Sequence, residues 1–583
     1  MTGVLRVRTG FAAAAALCFI SVVLTYVQGP RTALQGRRAA GSLLLFLNGL
    51  SLSFLAYYEP YGFDAYELTR CLTLWFLGWG LGLLAVARTE DPVGTRTSDP
   101  FRDTAQQSWR DPVIAGVLST IALVISAKAI AGDSTLVIDE TLYVLQARLF
   151  NQPAFSLHFD SAVHPFFMLR QAVYVNGGMF SHYPLGWPAI LAVFDKFELL
   201  QWAGSLLGAM SVVMTYLLGR RLYSARVGAI AAALLALHPH FLLHNNRFWS
   251  HAGSTLCIVV AAYLIAGARS NDKPDRARWI GVGVCLGICL TIRPLTAVGV
   301  GLSLAIWYVI RSRAPVSRVA QTALWTILGI LPFILATLLY NQETTGAALT
   351  FAYTAAMNIF YGRTGIAHEY HMMRSEGFGG NRLEILWTLV LFLLPAALLV
   401  PFLRIASRNV LPFRKRTAAA FLVLPVVYLA WNYSAWRFYL ELFPFALIAV
   451  AALYEVLRTS RPAVARAIAI YMWILLPVTA VADTIAQRRI FAGCREATYA
   501  VADLAKGGPL LVFAAGDIDN REGEMLLECL YVYNTRGLNG PVVVARDLGA
   551  KNSLLMKRYP DYRSVRISWN PKEARLVLSG PGG

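Results

Sequence analysis

The chain has 583 residues, of which 57% are hydrophobic and 15% charged, and its mean hydropathy is +0.52. That mix excludes an ordinary soluble domain and reads as a polytopic membrane protein. The formal net charge of +19 comes from arginines in short loops between apolar runs, not from a basic, aromatic-interleaved module, so it reports topology and no nucleic-acid partner is expected.

Arg6 and Arg8 precede the apolar run Phe11 to Tyr26 in the manner of a signal peptide. The run is long and no small-residue cleavage site follows it, which predicts an uncleaved first helix. Apolar segments are predicted at about 9–27, 41–58 and 71–87, and the polar linker Arg88 to Asp111 closes this accessory region, residues 1–111. The main body, 112–483, offers further segments near 113–131, 199–219, 227–244, 252–268, 279–293, 294–310, 319–340, 384–403, 417–433, 439–457 and 464–483. The fold class is therefore an all-α polytopic bundle of about fourteen helices.

Basic connections recur at every second crossing: Arg220-Arg221 with Arg226, Lys273 to Arg278, Arg311 to Arg318, Arg404 to Arg416 and Arg458 to Arg466. They belong in the cytoplasm, which turns the alternate loops outward: 132–182, the turn around Asn245 to Ser250, 341–383 and the link around Asn432 to Trp436. This parity puts Arg6 and Arg8 outside, unless one early segment does not span. The expected location is the cytoplasmic membrane, with the polar face outward.

Just after the apolar run Val113 to Ala131 stand two adjacent carboxylates, Asp139 and Glu140. Charge is expensive at a membrane helix, so this pair is a candidate site, with a helix-ending solvated turn as the plainer alternative. The loop that holds it also carries Tyr143, His158, His164, Arg170, His182 and Tyr183. It closes with Ser181-His182-Tyr183-Pro184-Leu185-Gly186-Trp187-Pro188, whose prolines and glycine set the re-entry of the chain. Arg293 lies within a continuous apolar stretch, Trp279 to Ile310, near the outer surface. An arginine there needs a partner, either a phosphate or a structural carboxylate. Arg437 and Tyr439 follow on the last outward link, where snorkelling and an interfacial aromatic belt are the alternatives.

His251 begins a helix on the outer side. Either it or His182 could ligate a divalent metal with Glu140 or His164, although an interfacial histidine more often only hydrogen-bonds. No cofactor is expected otherwise. The second outward loop holds Asn358, Tyr361, His368, Glu369, Tyr370, His371, Arg374 and Glu376 with Gly377, Gly379 and Gly380, the composition of a lid or of a plain polar loop. Beyond Asp483 the pattern changes. Strands at Pro509–Ala515, Pro541–Ala545 and Ser564–Ile567, with helices at Glu522–Val532 and Lys551–Tyr559, predict a small extracytoplasmic α/β domain over 484–583. Cys494 and Cys529 could pair there if the compartment is oxidising.

The acidic pair, the Tyr-Pro-Leu-Gly-Trp-Pro element, the Arg293-Pro294 step and the run Trp436 to Phe445 together resemble integral-membrane glycosyltransferases of the GT-C class. The nearest group is the dolichyl-phosphate-mannose-protein mannosyltransferase and aminoarabinose-transferase type. The resemblance covers about residues 110–460; the element here is Tyr-Pro-Leu-Gly in place of Tyr-Pro-Pro-Gly, and the second outward loop has no Asp-x-Asp motif. It implies a polyprenyl-phosphate sugar donor, a glycan, lipid or protein acceptor, and an inverting displacement with Asp139 as base. Glu140 is left to orient the acceptor, bind a metal or share that role. A lipid or glycolipid flippase and a noncatalytic envelope-assembly subunit are the other two readings; the first should show inverted repeats and broken helices at the midplane.

Overall fold

The computed structural model describes residues 110–355 and 436–580, apart from 133, 153–154, 159, 161, 170–171, 176–177, 269–274, 516–520, 535–537, 571–572, 574 and scattered positions between 461 and 490. The segments expected at 9–27, 41–58, 71–87, 384–403 and 417–433, most of that at 464–483, and the lid residues from 356 onward lie outside the described residues. The chain divides into two compact units, and the one made of 105–388, 412–448 and 480–583 holds every candidate residue. In the other, Glu455 pairs with Arg458 at 3.0 Å.

Among the described residues, five helices are long and apolar enough to cross a membrane, or six if one bent pair counts as a single span. α1 (Arg110–Ala131) leaves Leu118 and Ile125 61% and 63% exposed, a loss in water that disappears when hydrocarbon surrounds the helix. After it come α2 (Ile138–Phe150), α3 (Gly186–Lys196), α4 (Ala203–Leu222), α5 (Ala225–Ala236), α6 (Pro239–Asn245), α7 (His251–Ala266), α8 (Arg276–Ile292), α9 (Pro294–Ser312) and α10 (Val316–Thr345). The chain returns with a 3-10 segment, Trp436–Leu442, and α11 (Phe443–Ser460).

Two prolines redraw the expected boundaries. The single segment expected at 227–244 is α5 and α6, bent by 68° at Pro239, which has no N–H to continue the ladder. Arg293 is not inside a helix but between α8 and α9, at φ −143° and ψ 84°, because Pro294 disfavours helical geometry in the residue before it and then starts the next helix.

Where the transmembrane helices meet, small residues let backbones touch. A Cβ on Gly283 would lie 2.8 Å from Gly329 Cα, and one on Gly329 would strike the Ile280 carbonyl, so α8 and α10 cross with no side chain between them.

The described residues of the loop 132–182 are folded. The acidic pair opens α2 instead of ending α1, and a three-stranded antiparallel sheet follows, β1 (Leu157–His158), β2 (Ala172–Val175) and β3 (Gly178–Ser181) in the order β1-β3-β2. The C-terminal region carries the expected parallel strands β4 (Leu510–Ala514), β5 (Val542–Arg546) and β6 (Arg563–Asn570). It adds an antiparallel edge, β7 (Arg575–Ser579), that the sequence reading lacked. Helices α12 (Ala492–Ala505), α13 (Arg521–Leu530) and α14 (Asn552–Arg558) cover it, and Cys494 and Cys529 form a disulfide between α12 and α13. Loop and sheet share one hydrophobic core: Leu142, Leu145 and Leu149 of α2 pack with Leu526, Leu530 and the β4 strand.

Gly329→Val should force α8 and α10 apart and cost about 1–3 kcal/mol, as overpacking of a tight interior does. The measurement is the thermal midpoint of purified protein, and an unchanged midpoint would contradict the close crossing.

Candidate active site

Helix α2 explains the acidic pair. Its N-cap, Val137, offers no side-chain acceptor, and both carboxylates fall in the first turn, where negative charge faces the unpaired N–H groups and the positive end of the helix dipole. Neighbours on a helix point about 100° apart, and here the two carboxylates meet different partners. Glu140 is fully buried and accepts the Leu136 N–H at 2.8 Å. Burial pushes its carboxyl above the usual range, and the nearby Arg247 guanidinium opposes this with a smaller effect. Arg247 is itself buried and donates to the Ser134 carbonyl.

Asp139 faces the other way. Its Oδ2 lies 3.4 Å from Arg437 Nη2, and its side chain keeps 13% of its surface. Tyr183 hydrogen-bonds to the same carboxylate, and its ring lies 4.4 Å from that of Tyr143, one turn along α2. Burial, and after it the Asp139 charge, raises both phenols above their ordinary value, so they remain donors at neutral pH. His182 is buried and its ring lies 4.0 Å from that of Tyr183.

The re-entry motif anchors this arrangement. Trp187 is buried and its indole N–H donates to the Phe248 carbonyl at 2.5 Å. Gly186 lies so close to Thr291 that any Cβ would overlap it. The motif thus ties Tyr183 to the outer turn 246–250 and to the end of α8 in one stretch.

A second cluster forms at the break holding Arg293. Its Nε lies 3.3 Å from Glu441 Oε1, and its Nη1 donates to Ser250 Oγ at 3.3 Å. Glu441 is fully buried, and the same oxygen accepts from Ser254 at 2.7 Å and from His251 Nδ1 at 3.1 Å. With its Nδ1 proton on Glu441, His251 presents Nε2 toward Arg293 Nη1 at 3.5 Å. Tyr143 also donates to Ser250 Oγ, at 3.3 Å, so one serine hydroxyl joins the two clusters. Arg437 lies over the Trp249 ring at 5.0 Å.

The structure therefore brings together Asp139, Tyr183, Arg437, Arg293 and His251. Tyr439 is buried, 2% exposed, from the same 3-10 segment that carries Arg437. The metal-ligand set considered from sequence is dispersed: Glu140 faces Arg247, His251 faces Glu441, and His164 stacks on Tyr174 at 4.8 Å. Among the described residues no group of three His, Cys, Asp or Glu side chains is placed to hold a metal ion.

Arg247, Ser250 and Glu441 were not singled out from sequence. Glu441 had a signal: it is a carboxylate four residues after Arg437 in an otherwise apolar run, which demands a buried partner.

Residues 189–341 match the family described as dolichyl-phosphate-mannose-protein mannosyltransferase. This agrees with the resemblance drawn from the motifs, and the chain is similar to GT-C glycosyltransferases. Among solved structures, ArnT from Cupriavidus metallidurans bound to undecaprenyl phosphate is 12% identical, with a TM-score of 0.46 over 79% of this chain and 93% of that one. The Archaeoglobus fulgidus oligosaccharyltransferase in complex with Zn and sulfate is 14% identical, with a TM-score of 0.43 over 64% of this chain and 53% of that one. The chain thus spans about half the length of the Archaeoglobus enzyme. The Saccharomyces cerevisiae protein O-mannosyltransferase Pmt1-Pmt2 complex bound to the sugar donor is 14% identical, with a TM-score of 0.31 over 45% and 36%. No curated protein sequence matches the chain.

A carboxyl raised on folding stabilises most below its unfolded value, here 4.5, and that contribution is lost as pH rises through the folded value. Glu140→Gln removes the loss while keeping an acceptor for Leu136. The midpoint of the variant relative to wild type should therefore climb as pH rises above 4.5. A pH-independent difference would place the Glu140 titration elsewhere.

Proposed function

We propose that this protein is a membrane glycosyltransferase that moves a sugar from a polyprenyl-phosphate donor to an acceptor at the outer face of the cytoplasmic membrane, by a single inverting displacement. The observation that carries the reading is a partly exposed carboxylate, Asp139, 3.4 Å from Arg437 and beside Tyr143, whose hydroxyl shares Ser250 with a second guanidinium, Arg293.

The acceptor hydroxyl is a poor nucleophile and needs a base, whereas a lipid phosphate leaves without a strong acid. Asp139 takes the hydroxyl proton as the new bond to the anomeric carbon forms. The bond from that carbon to the phosphate oxygen breaks, and its electron pair stays on the phosphate. In this reading Arg437 and Arg293, the latter also paired with Glu441, meet that charge, since a planar guanidinium suits phosphate oxygens. Glu140 points away from this centre, so its part is to hold the α2 N-terminus on Arg247, not to share the proton. Among the described residues no second carboxylate is placed opposite Asp139 as a nucleophile, which favours inversion. The basic loops support the outward orientation, and so does the Cys494–Cys529 disulfide, which suits an oxidising compartment. The acceptor is a glycan, a lipid or a protein.

The test uses the full chain in lipid nanodiscs with a panel of tritiated sugars on undecaprenyl and dolichyl phosphate. Asp139→Asn should lower turnover about 10²–10⁴-fold, the usual worth of a general base. Arg293→Ala should weaken donor use, and Glu140→Gln should retain most of it. Turnover unchanged in both Asp139→Asn and Arg293→Ala would sink the assignment.

A further inference from the structure

The C-terminal module has so far only a fold. It holds the connection between β1 and β2 through the Tyr531 hydroxyl on the Phe167 carbonyl and Arg546 on the Met168 carbonyl, and it also grips a second segment, residues 130–148, which carries Asp139. From α12, Arg495 Nη1 donates to the Ile130 carbonyl at 3.3 Å, and the Tyr499 hydroxyl lies against Gly132, leaving no space for a side chain there. From α13, the Glu528 carbonyl accepts the Thr141 hydroxyl at 2.8 Å and the Cys529 carbonyl accepts the Thr135 hydroxyl at 3.1 Å. These carbonyls lie in the last turn of α13, where the helix's own hydrogen-bond ladder runs out. Further along, Arg148 Nη1 donates to the Val532 carbonyl at 2.7 Å.

Thr135 and Thr141 flank the first turn of α2 on both sides of Asp139, are both buried, and lie 2.9 Å apart. With no side-chain cap from Val137, that turn depends on what surrounds it. The disulfide joins α12 to α13, the two helices whose residues hold this segment at 130–132 and at 135 and 141. Cys494 and Cys529 are both fully buried, so the link lies beneath the grip and not on the surface.

We infer that the C-terminal α/β module is a clamp that sets the position of the Asp139 carboxylate, with Thr135 and Thr141 as positioning residues and the Cys494–Cys529 bond holding the jaws together. The inference rests on the reading of Asp139 as the base. It gives the module a part in the reaction without contact to substrate: a displacement of the carboxylate by about 1 Å costs as much as 10²-fold in rate.

The experiment is hydrogen exchange on the full chain in nanodiscs, followed by mass spectrometry of peptides covering 132–146, with α4 peptides as the control for global folding. The variants are Thr135→Val/Thr141→Val, Thr135→Ser/Thr141→Ser and Cys494→Ala/Cys529→Ala. Valine keeps the shape and removes the hydroxyl, while serine keeps the hydroxyl. The valine and alanine pairs should exchange about fivefold faster or more in 132–146, with α4 unchanged, and the serine pair should match wild type. With any donor turned over in the panel, the valine pair should lose about tenfold in kcat with KM little changed, and serine should restore it.

Equal exchange in all four proteins, or equal acceleration in the valine and serine pairs, would overturn the clamp. If the valine pair also loosens α4, the single Thr141→Val variant decides by the same criteria. Asp139→Asn judges the base separately, because exchange in 132–146 does not depend on turnover.

Discussion

The Arg293–Glu441 ion pair is the contact on which the candidate site depends. Arg293 keeps 13% of its side-chain surface and Glu441 none, and a carboxylate with 0% exposure is costly unless several donors meet it. Ser254, His251 and Arg293 all do so at one oxygen. Removing one partner of such a pair leaves the other buried and uncompensated, a loss of about 3–5 kcal/mol. The pair therefore holds the end of α7, the α8–α9 break and the 3-10 segment before α11 in one register, and that register presents Arg437 to Asp139.

The acidic dipeptide shows how local geometry divides labour. Side by side in sequence, Asp139 and Glu140 are about a quarter-turn apart on α2. One is buried with Arg247 and serves the helix; the other keeps partial exposure and two aromatic hydroxyl neighbours. The division follows from helical pitch, and it gives the buried Arg247, 3% exposed, a carboxylate nearby.

The C-terminal sheet is not an appendage to the loop that carries Asp139. The leucines of α2 enter the same core as β4 and α13, so folding of the outer loop and of the C-terminal sheet is one event in packing terms. This shared core explains why a loop of about fifty residues, far above the usual connection length, carries regular structure. Its strands are short and alone would be marginal, and the sheet beside it supplies the apolar surface they need.

Apolar runs long enough for a bilayer, basic loops at alternate crossings and the β-α alternation after Asp483 were all legible from sequence, because each is a one-dimensional pattern with a direct energetic cause. So were Asp139, Arg293 and Arg437 as candidates, since charge next to apolar stretches is conspicuous by its cost. Proline positions were visible, but their effect on α5–α6 and on Arg293 needed the three-dimensional path. What only the tertiary structure decided was partnership. Glu441 meets Arg293 across 148 positions and Asp139 meets Arg437 across 298. The Thr141 hydroxyl finds a carbonyl 387 residues away. A charge states that it needs a partner, but its identity depends on which helices pack together, and packing is set by the shapes of all the apolar faces at once.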